Sequence, residues 1–335
     1  MSFCNITAES MPQWTWLHRK IFTQEEQESN KTKTELSFSK SNLPHFGQLI
    51  FSWNSFRPEM GHFNFYSRVR DNATKKWSKW HKMISWGASI QKSYKSIPDQ
   101  FSSYHHVRLE TAKSTIFDAF GIKIEAKGGA DLALVKGFNV AISDFSQFLP
   151  EDSSIFNNLS SINIKGVPCF SQFELIHPRN NGMCSPTSCA MLVSYLTKEI
   201  IDPLFFAEKS FDSGLDKYGS WPFNMAHAFE QSKGALFFAV ARLKSFKYLH
   251  NHLKLKIPVV VSVRGSIQNA PKAYENGHLL VVIGYDSKTK EVICNDPALP
   301  SASLVKQRYP LKSFLLAWER SNRLAYIAQP MKGVL

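Results

Sequence analysis

Three residues with the right types and surroundings to work together are Cys184, His278 and Asp296, and the chemistry they suit is nucleophilic acyl transfer. The stretch Asn181-Gly-Met-Cys-Ser-Pro-Thr-Ser-Cys-Ala-Met-Leu-Val-Ser-Tyr-Leu196 puts a cysteine directly before what reads as the first turn of a buried helix. Ser185 is competent to cap that helix and Pro186 suits its first position, while Ala190, Met191, Val193 and Leu196 cover one apolar side. Cys184 then stands just outside the cap. Unpaired N–H groups and the positive end of the helix dipole favour a thiolate there, which is the reactive form. A cysteine in isolation serves equally well as a small buried hydrophobe, so its partners decide the matter.

Those partners come from a β-hairpin. Gly277-His-Leu-Leu-Val-Val-Ile-Gly-Tyr-Asp286 and Glu291-Val-Ile-Cys-Asn-Asp-Pro-Ala298 are strand-like runs joined by a short polar turn. A symmetric turn about Lys288 sets His278 opposite Ala298 and leaves Asp296 diagonal to His278 on the same face, within reach of the imidazole. The register carries this geometry, because a slip of one residue turns every side chain to the other face. An imidazole then serves as general base and acid, and a carboxylate fixes its tautomer. Gln172, in Val167-Pro-Cys-Phe-Ser-Gln ahead of the helix, could donate its amide to a developing oxyanion beside the Cys184 N–H.

In chain order, Val167-Pro-Cys-Phe-Ser-Gln, Met183-Cys-Ser-Pro-Thr-Ser-Cys-Ala-Met, Gly219-Ser-Trp-Pro-Phe-Asn-Met-Ala, Pro258-Val-Val-Val-Ser-Val, Gly277-His-Leu-Leu-Val-Val-Ile-Gly-Tyr and Asn295-Asp-Pro-Ala resemble the bacteriocin-processing type of papain-like cysteine peptidase, family thirty-nine. The resemblance covers residues from about 165 to 330, and Tyr309 to Trp318 with Ala325 to Pro330 is similar to the closing helix and strand of that family. It implies Cys184 as nucleophile, His278 as base, Asp296 as orienting acid and Gln172 in the oxyanion hole. Ser185 departs from the glycine that many transporter-linked relatives carry, and a serine should keep the helix start intact. Members that trim leaders after a double glycine are fused to a membrane transporter, so their substrate is not inherited by this chain.

A chain of 335 residues with 43% hydrophobic and 20% charged residues suggests two folded domains. No apolar run approaches the roughly 18 to 20 residues of a membrane-spanning helix, so no integral membrane segment is expected. The start shows no basic and apolar signal regions, which points to a cytoplasmic protein or one exported without a recognisable cleaved signal peptide. The five cysteines Cys4, Cys169, Cys184, Cys189 and Cys294 lack CxxC spacing, against a disulfide framework or zinc cluster. The formal net charge is +13, yet the basic residues are scattered and no nucleic-acid motif accompanies them, so no nucleic-acid partner is expected. His105 and His106, and His250 with His252, lack acidic or cysteine partners at ligand spacing; no metal or other cofactor is expected.

Residues 33–145 alternate apolar and polar in short runs, such as Leu49-Ile-Phe-Ser-Trp53, Phe63 to Arg70, Val107 to Thr111, Phe120 to Ala126 and Phe138 to Ile142. This patterning predicts an all-β sandwich, jelly-roll-like or immunoglobulin-like. Ser52-Trp-Asn-Ser-Phe-Arg-Pro-Glu59 is similar to the opening of the module that non-transporter relatives carry. Trp53 and Trp86 with Phe65 read as core, whereas Trp77 and Trp80 in a basic, turn-rich segment read as a pair facing a glycan or peptide ligand.

The expected organisation is an amino-terminal extension over 1–32, a sandwich over 33–145, a linker over 146–163 and an α+β papain-like cysteine peptidase domain over 164–335. Its expected partner is a peptide or protein substrate, with Gly219, Ser220 and Trp221 lining the cleft or anchoring a structural loop. Two other readings use the same residues: a non-catalytic carbohydrate- or peptide-binding adhesion protein on a peptidase-like scaffold, or an amidase or acyltransferase.

Overall fold

Alternating apolar positions between Thr15 and Ser143 build two antiparallel sheets in the computed structural model, which describes residues 12–112 and 115–330. In chain order the elements are β1 (Thr15–Ile21), α1 (Gln24–Asn30), β2 (Glu35–Lys40), β3 (Gln48–Ser55), β4 (His62–Asp71), β5 (His81–Gly87), β6 (Gln91–Ser93), β7 (Ser102–His105), β8 (Arg108–Thr111), β9 (Phe117–Lys127) and β10 (Val135–Ser143). One sheet has the order β1-β10-β3-β8-β7 and the other β2-β9-β4-β5-β6. The pairs β1 with β10, β2 with β9, β3 with β8 and β4 with β5 nest inside one another, as in a long hairpin rolled into a jelly roll.

The sandwich therefore starts earlier than residue 33. β1 carries Leu17, His18, Arg19 and Lys20, and α1 reads Gln-Glu-Glu-Gln-Glu-Ser-Asn, so both look like a solvated extension until β1 is paired with β10. Thr23 caps α1 in a reciprocal capping box with Glu26. Inward residues of the two sheets form the core. Trp53 stacks on Phe65 at 4.7 Å between ring centroids and meets Trp86 edge-on at 5.5 Å. Trp77 and Trp80 lie half-buried outside it, with the Arg68 guanidinium 4.4 and 4.5 Å from their ring centroids. The faces turned toward Arg68 are thus used in cation–π contacts within the chain.

The remaining elements are β11 (Ile162–Asn163), α2 (Cys184–Thr197), α3 (Pro203–Lys209), α4 (Trp221–Gln231), β12 (Leu236–Arg242), α5 (Phe246–Lys254), β13 (Val259–Gly265), β14 (Tyr274–Asp286), β15 (Glu291–Asn295), β16 (Lys306–Pro310), α6 (Leu311–Glu319) and β17 (Leu324–Pro330). The chain divides into two compact units that interleave along the sequence: Ser210–Val240 groups with Trp16–Phe145, while Ser146–Lys209 groups with Ala241–Ala328. In the first unit α4 closes on the sandwich core through Phe223, 5.6 Å from Trp53. The fully buried Asn54 side chain exchanges hydrogen bonds with the backbone of Phe238, at 2.8 and 3.0 Å.

In the second unit the strands run β17-β13-β14-β15-β16, antiparallel, with β11 beside the far end of β14. Val259 to Val263 and Leu279 to Tyr285 are buried on both faces, because α2, α5 and α6 pack against these strands. α2 is buried from Ser185 to Ser194, around its whole circumference rather than along one stripe. A fully buried Arg323 ties the start of this unit to its end. Its guanidinium donates to Lys244 O and Leu149 O at 2.6 Å and to Glu319 Oε1 at 2.7 Å, and Glu319 also accepts from the Glu151 N–H. Glu151 lies in the stretch expected to be a linker, and burial pushes its carboxyl up to about 7 despite the nearby Arg323. Among the described residues Cys169, Cys184, Cys189 and Cys294 are free thiols; Cys4 lies outside the described residues.

Candidate active site

The start of α2 differs from the expected capped helix. Cys184 is the first helical residue, Met183 occupies the cap position, and no side chain caps the end. Ser185 is fully buried, and its hydroxyl shares a 2.9 Å hydrogen bond with Tyr326 of β17 instead. Burial against the sheet overrides local capping propensity here. Cys184 still holds the position the chemistry needs, because the first N–H groups of a helix have no intrahelical partner and carry the positive end of the dipole. The residue as a whole is partly exposed.

His278 enters from β14, opposite Val263 of β13. Gly277 precedes it at φ +86°, a conformation that bends the strand and that residues with a Cβ rarely adopt. The hairpin keeps the expected register next to the site, where Val281 pairs with Asn295 and Val282 with Cys294. Nearer the turn the pairs are Gly284 with Ile293 and Asp286 with Glu291, one residue out of step, and a bulge between Val282 and Gly284 absorbs the shift. Asp296 follows β15 directly.

The hairpin brings the two side chains together. His278 Nε2 donates to Asp296 Oδ1 at 2.7 Å, leaving Nδ1 as the ring atom available to another partner. Burial raises the thiol, but the His278 hydrogen bond and charge and the Leu279 N–H outweigh it, so Cys184 sits below the ordinary thiol range. Burial opposes the charge on His278 too; Asp296 and the thiol overcome this and hold the imidazole up at about 10. A thiolate beside an imidazolium is the pair these shifts favour.

Asp296 is fully buried, and its carboxylate accepts from four donors. Ala298 N at 2.9 Å joins His278 on Oδ1, while Tyr274 and Tyr309 donate their hydroxyls to Oδ2 at 2.6 and 2.7 Å. Burial alone would raise this carboxyl; His278 and the two tyrosines bring it down to about 2. Tyr274 also stacks on the His278 ring, 4.2 Å between centroids and 17° between planes. The sequence reading missed both tyrosines. Tyr274 lies four residues before His278, a spacing that shares a strand face, but Tyr309 reaches the site only through the pairing of β16 with β15.

Gln172 is buried on a short turn, where its backbone N–H donates to Pro297 O at 2.9 Å and its Nε2 to Asn180 O at 3.0 Å. It is thereby tied to the residue after Asp296 and to the loop entering α2. One of its two amide N–H groups is engaged by Asn180. Gly219, Ser220 and Trp221 fall in the other compact unit, where Trp221 packs against the sandwich core under the Arg108 guanidinium, 5.6 Å from the ring centroid. Among the described residues no three His, Cys, Asp or Glu side chains gather as a metal site.

Residues 164–326 match the sequence model of the Peptidase_C39 like family. The chain is an all-β sandwich followed by an α+β domain, and it is the α+β half that carries the match to the C39-like peptidase family. Among solved structures, xylellain, a cysteine protease from Xylella fastidiosa, aligns with 55% of this chain and 91% of its own at 12% identity and a TM-score of 0.36. No curated protein matches the sequence. Among the described residues no helix is long and apolar enough to cross a membrane.

Proposed function

We propose that the α+β domain is a cysteine peptidase that hydrolyses peptide or amide bonds through Cys184, His278 and Asp296. What supports this reading is an imidazole, His278, hydrogen-bonded at 2.7 Å to the buried Asp296 carboxylate, together with a thiol at the α2 start, Cys184, that His278 holds below the ordinary thiol range. The Cys184 thiolate attacks the substrate carbonyl carbon, forming a C–S bond and a tetrahedral oxyanion. The Cys184 N–H and the second Gln172 amide N–H are the donors assigned to that oxyanion. His278 gives its proton to the departing amine as the C–N bond breaks, leaving a thioester. It then takes a proton from water, which attacks the thioester and returns the free acid and the thiol.

The protonation pattern suits this cycle. Attack needs the thiolate, favoured by the lowered Cys184 pKa, and departure needs a protonated His278, which lasts up to about pH 10. Hydrolysis is expected to rise with a limb below the ordinary thiol range, hold a plateau, and fall near pH 10. The decisive assay incubates the protein with a peptide mixture and reads product masses. Cleavage with addition of one water, abolished in Cys184→Ala with the fold retained, is the expected result. Cleavage unchanged in Cys184→Ala removes the assignment, and products lacking the added water point to acyl transfer.

A further inference from the structure

A cavity of about 410 Å³ opens into the sandwich where α1 crosses between β1 and β2, the edge strands of the two sheets. That volume falls within the range of small-molecule sites, about 300 to 1,000 Å³. Its walls are apolar: Phe22, Phe138, Ile122 and Ile124 are buried behind half-buried Leu36 and Phe38. The rim is polar and mostly self-compensated. Lys20 pairs with Glu26 at 2.5 Å, and Glu35 lies 3.6 Å from Lys123.

One group at this mouth is left without a partner. Asn30 is 2% exposed, and its amide Nδ2 has no hydrogen-bond partner. Its Oδ1 accepts from Lys33 Nζ at 3.1 Å, and the charge of Lys33 is also felt by Glu26. A buried donor left unpaired is costly, and here it stands beside a cation. The missing group is an anionic acceptor, and the walls behind it call for hydrocarbon.

We propose that this cavity binds a hydrophobic monocarboxylate, its carboxylate at Lys33 Nζ and Asn30 Nδ2 and its apolar body against Phe38, Phe138 and Leu36. The site is independent of the peptidase reading. Calorimetric titration of the full chain with decanoate, below its micellar concentration, tests it directly. Saturable one-to-one binding is expected, at least tenfold weaker for decanol and for Lys33→Gln, and retained in Lys33→Arg. Lys33 is exposed, so neither variant should disturb folding, and hydrolysis should be unchanged in both. Leu36→Trp, which fills the mouth, should also abolish binding. No heat at millimolar decanoate, or equal binding of decanol and decanoate with no effect of Lys33→Gln, overturns the proposal. Competition by a peptide ending in Leu-Leu but not by its amide identifies a chain terminus as the source of the carboxylate. With decanoate binding established, lack of competition supports a free alkanoate.

Discussion

Asp296 accepts four hydrogen bonds in a fully buried position, and the consequence falls on His278. A carboxylate so satisfied stays ionised, keeps the proton on His278 Nε2 and leaves Nδ1 available to another partner. Tyr274 contributes twice, through its hydroxyl on Asp296 and its ring on the imidazole. Tyr274→Phe and Tyr309→Phe each remove one charge-assisted bond and keep the ring, so kcat should fall by about tenfold with KM little changed. A change confined to KM would assign the tyrosines to substrate binding instead. The same substitutions bear on acid stability. The Asp296 carboxyl is held at about 2, below its unfolded value, so the stability it contributes is present at neutral pH and lost as pH falls through that range. Either substitution should move acid unfolding to higher pH, read by circular dichroism across an acid titration. The pairing of His278 with Asp296 was legible in the sequence because a hairpin register is arithmetic; the Tyr309 contact was not, since no local pattern announces which strand lies beyond β15.

At the scale of elements, local chemistry and tertiary packing disagree at two places. Ser185 has the composition of a cap, yet its hydroxyl bonds Tyr326 in the core, so sequence placed the helix correctly and misread what holds its first turn. A double-mutant cycle separates the two roles. Ser185→Ala and Tyr326→Phe should each cost about 1 to 3 kcal/mol and be strongly non-additive, since each alone leaves a buried hydroxyl unpaired. Additive effects in chemical denaturation would restore capping as the role. Gly277 sits at φ +86°, and a Cβ there would meet no atom within 4 Å, so the position has room for a methyl group but not the backbone freedom for one. Gly277→Ala should therefore cost about 1 to 2 kcal/mol from backbone strain alone and shift His278, lowering hydrolysis more than stability. The sandwich strands β3, β4, β8, β9 and β10 were readable from alternation, whereas β5 to β7 were not, and β1 and α1 were hidden by their basic and acidic side chains.

For the whole molecule, the boundaries of the compact units were the least legible feature. Ser210–Val240 lies within the family match in sequence and packs with the sandwich in space, a long-range choice that depends on Asn54 and Phe223 rather than on any linker composition. The reverse holds for the stretch read as a linker, where Glu151 is drawn into the buried Arg323 cluster. Its folded pKa, near 7, lies above the unfolded value, so the protonated form stabilises the fold. That contribution is complete below about pH 4.5 and is lost as pH rises toward 7. Glu151→Gln keeps the shape and removes the titration. Its melting temperature should exceed that of the parent by a few degrees at pH 8, with the difference shrinking toward pH 4.5. A constant difference across that window would show that Glu151 does not titrate in the folded protein.

The central claim is that His278 holds Cys184 as a thiolate. Alkylation of Cys184 by iodoacetamide, followed by mass spectrometry across pH, measures this at the residue itself. The rate should reach half its maximum well below the free-thiol value of about 8.5, and His278→Ala should move that midpoint up to the free-thiol range or beyond. A parent midpoint at or above the free-thiol value, or one that His278→Ala leaves in place, would contradict the account.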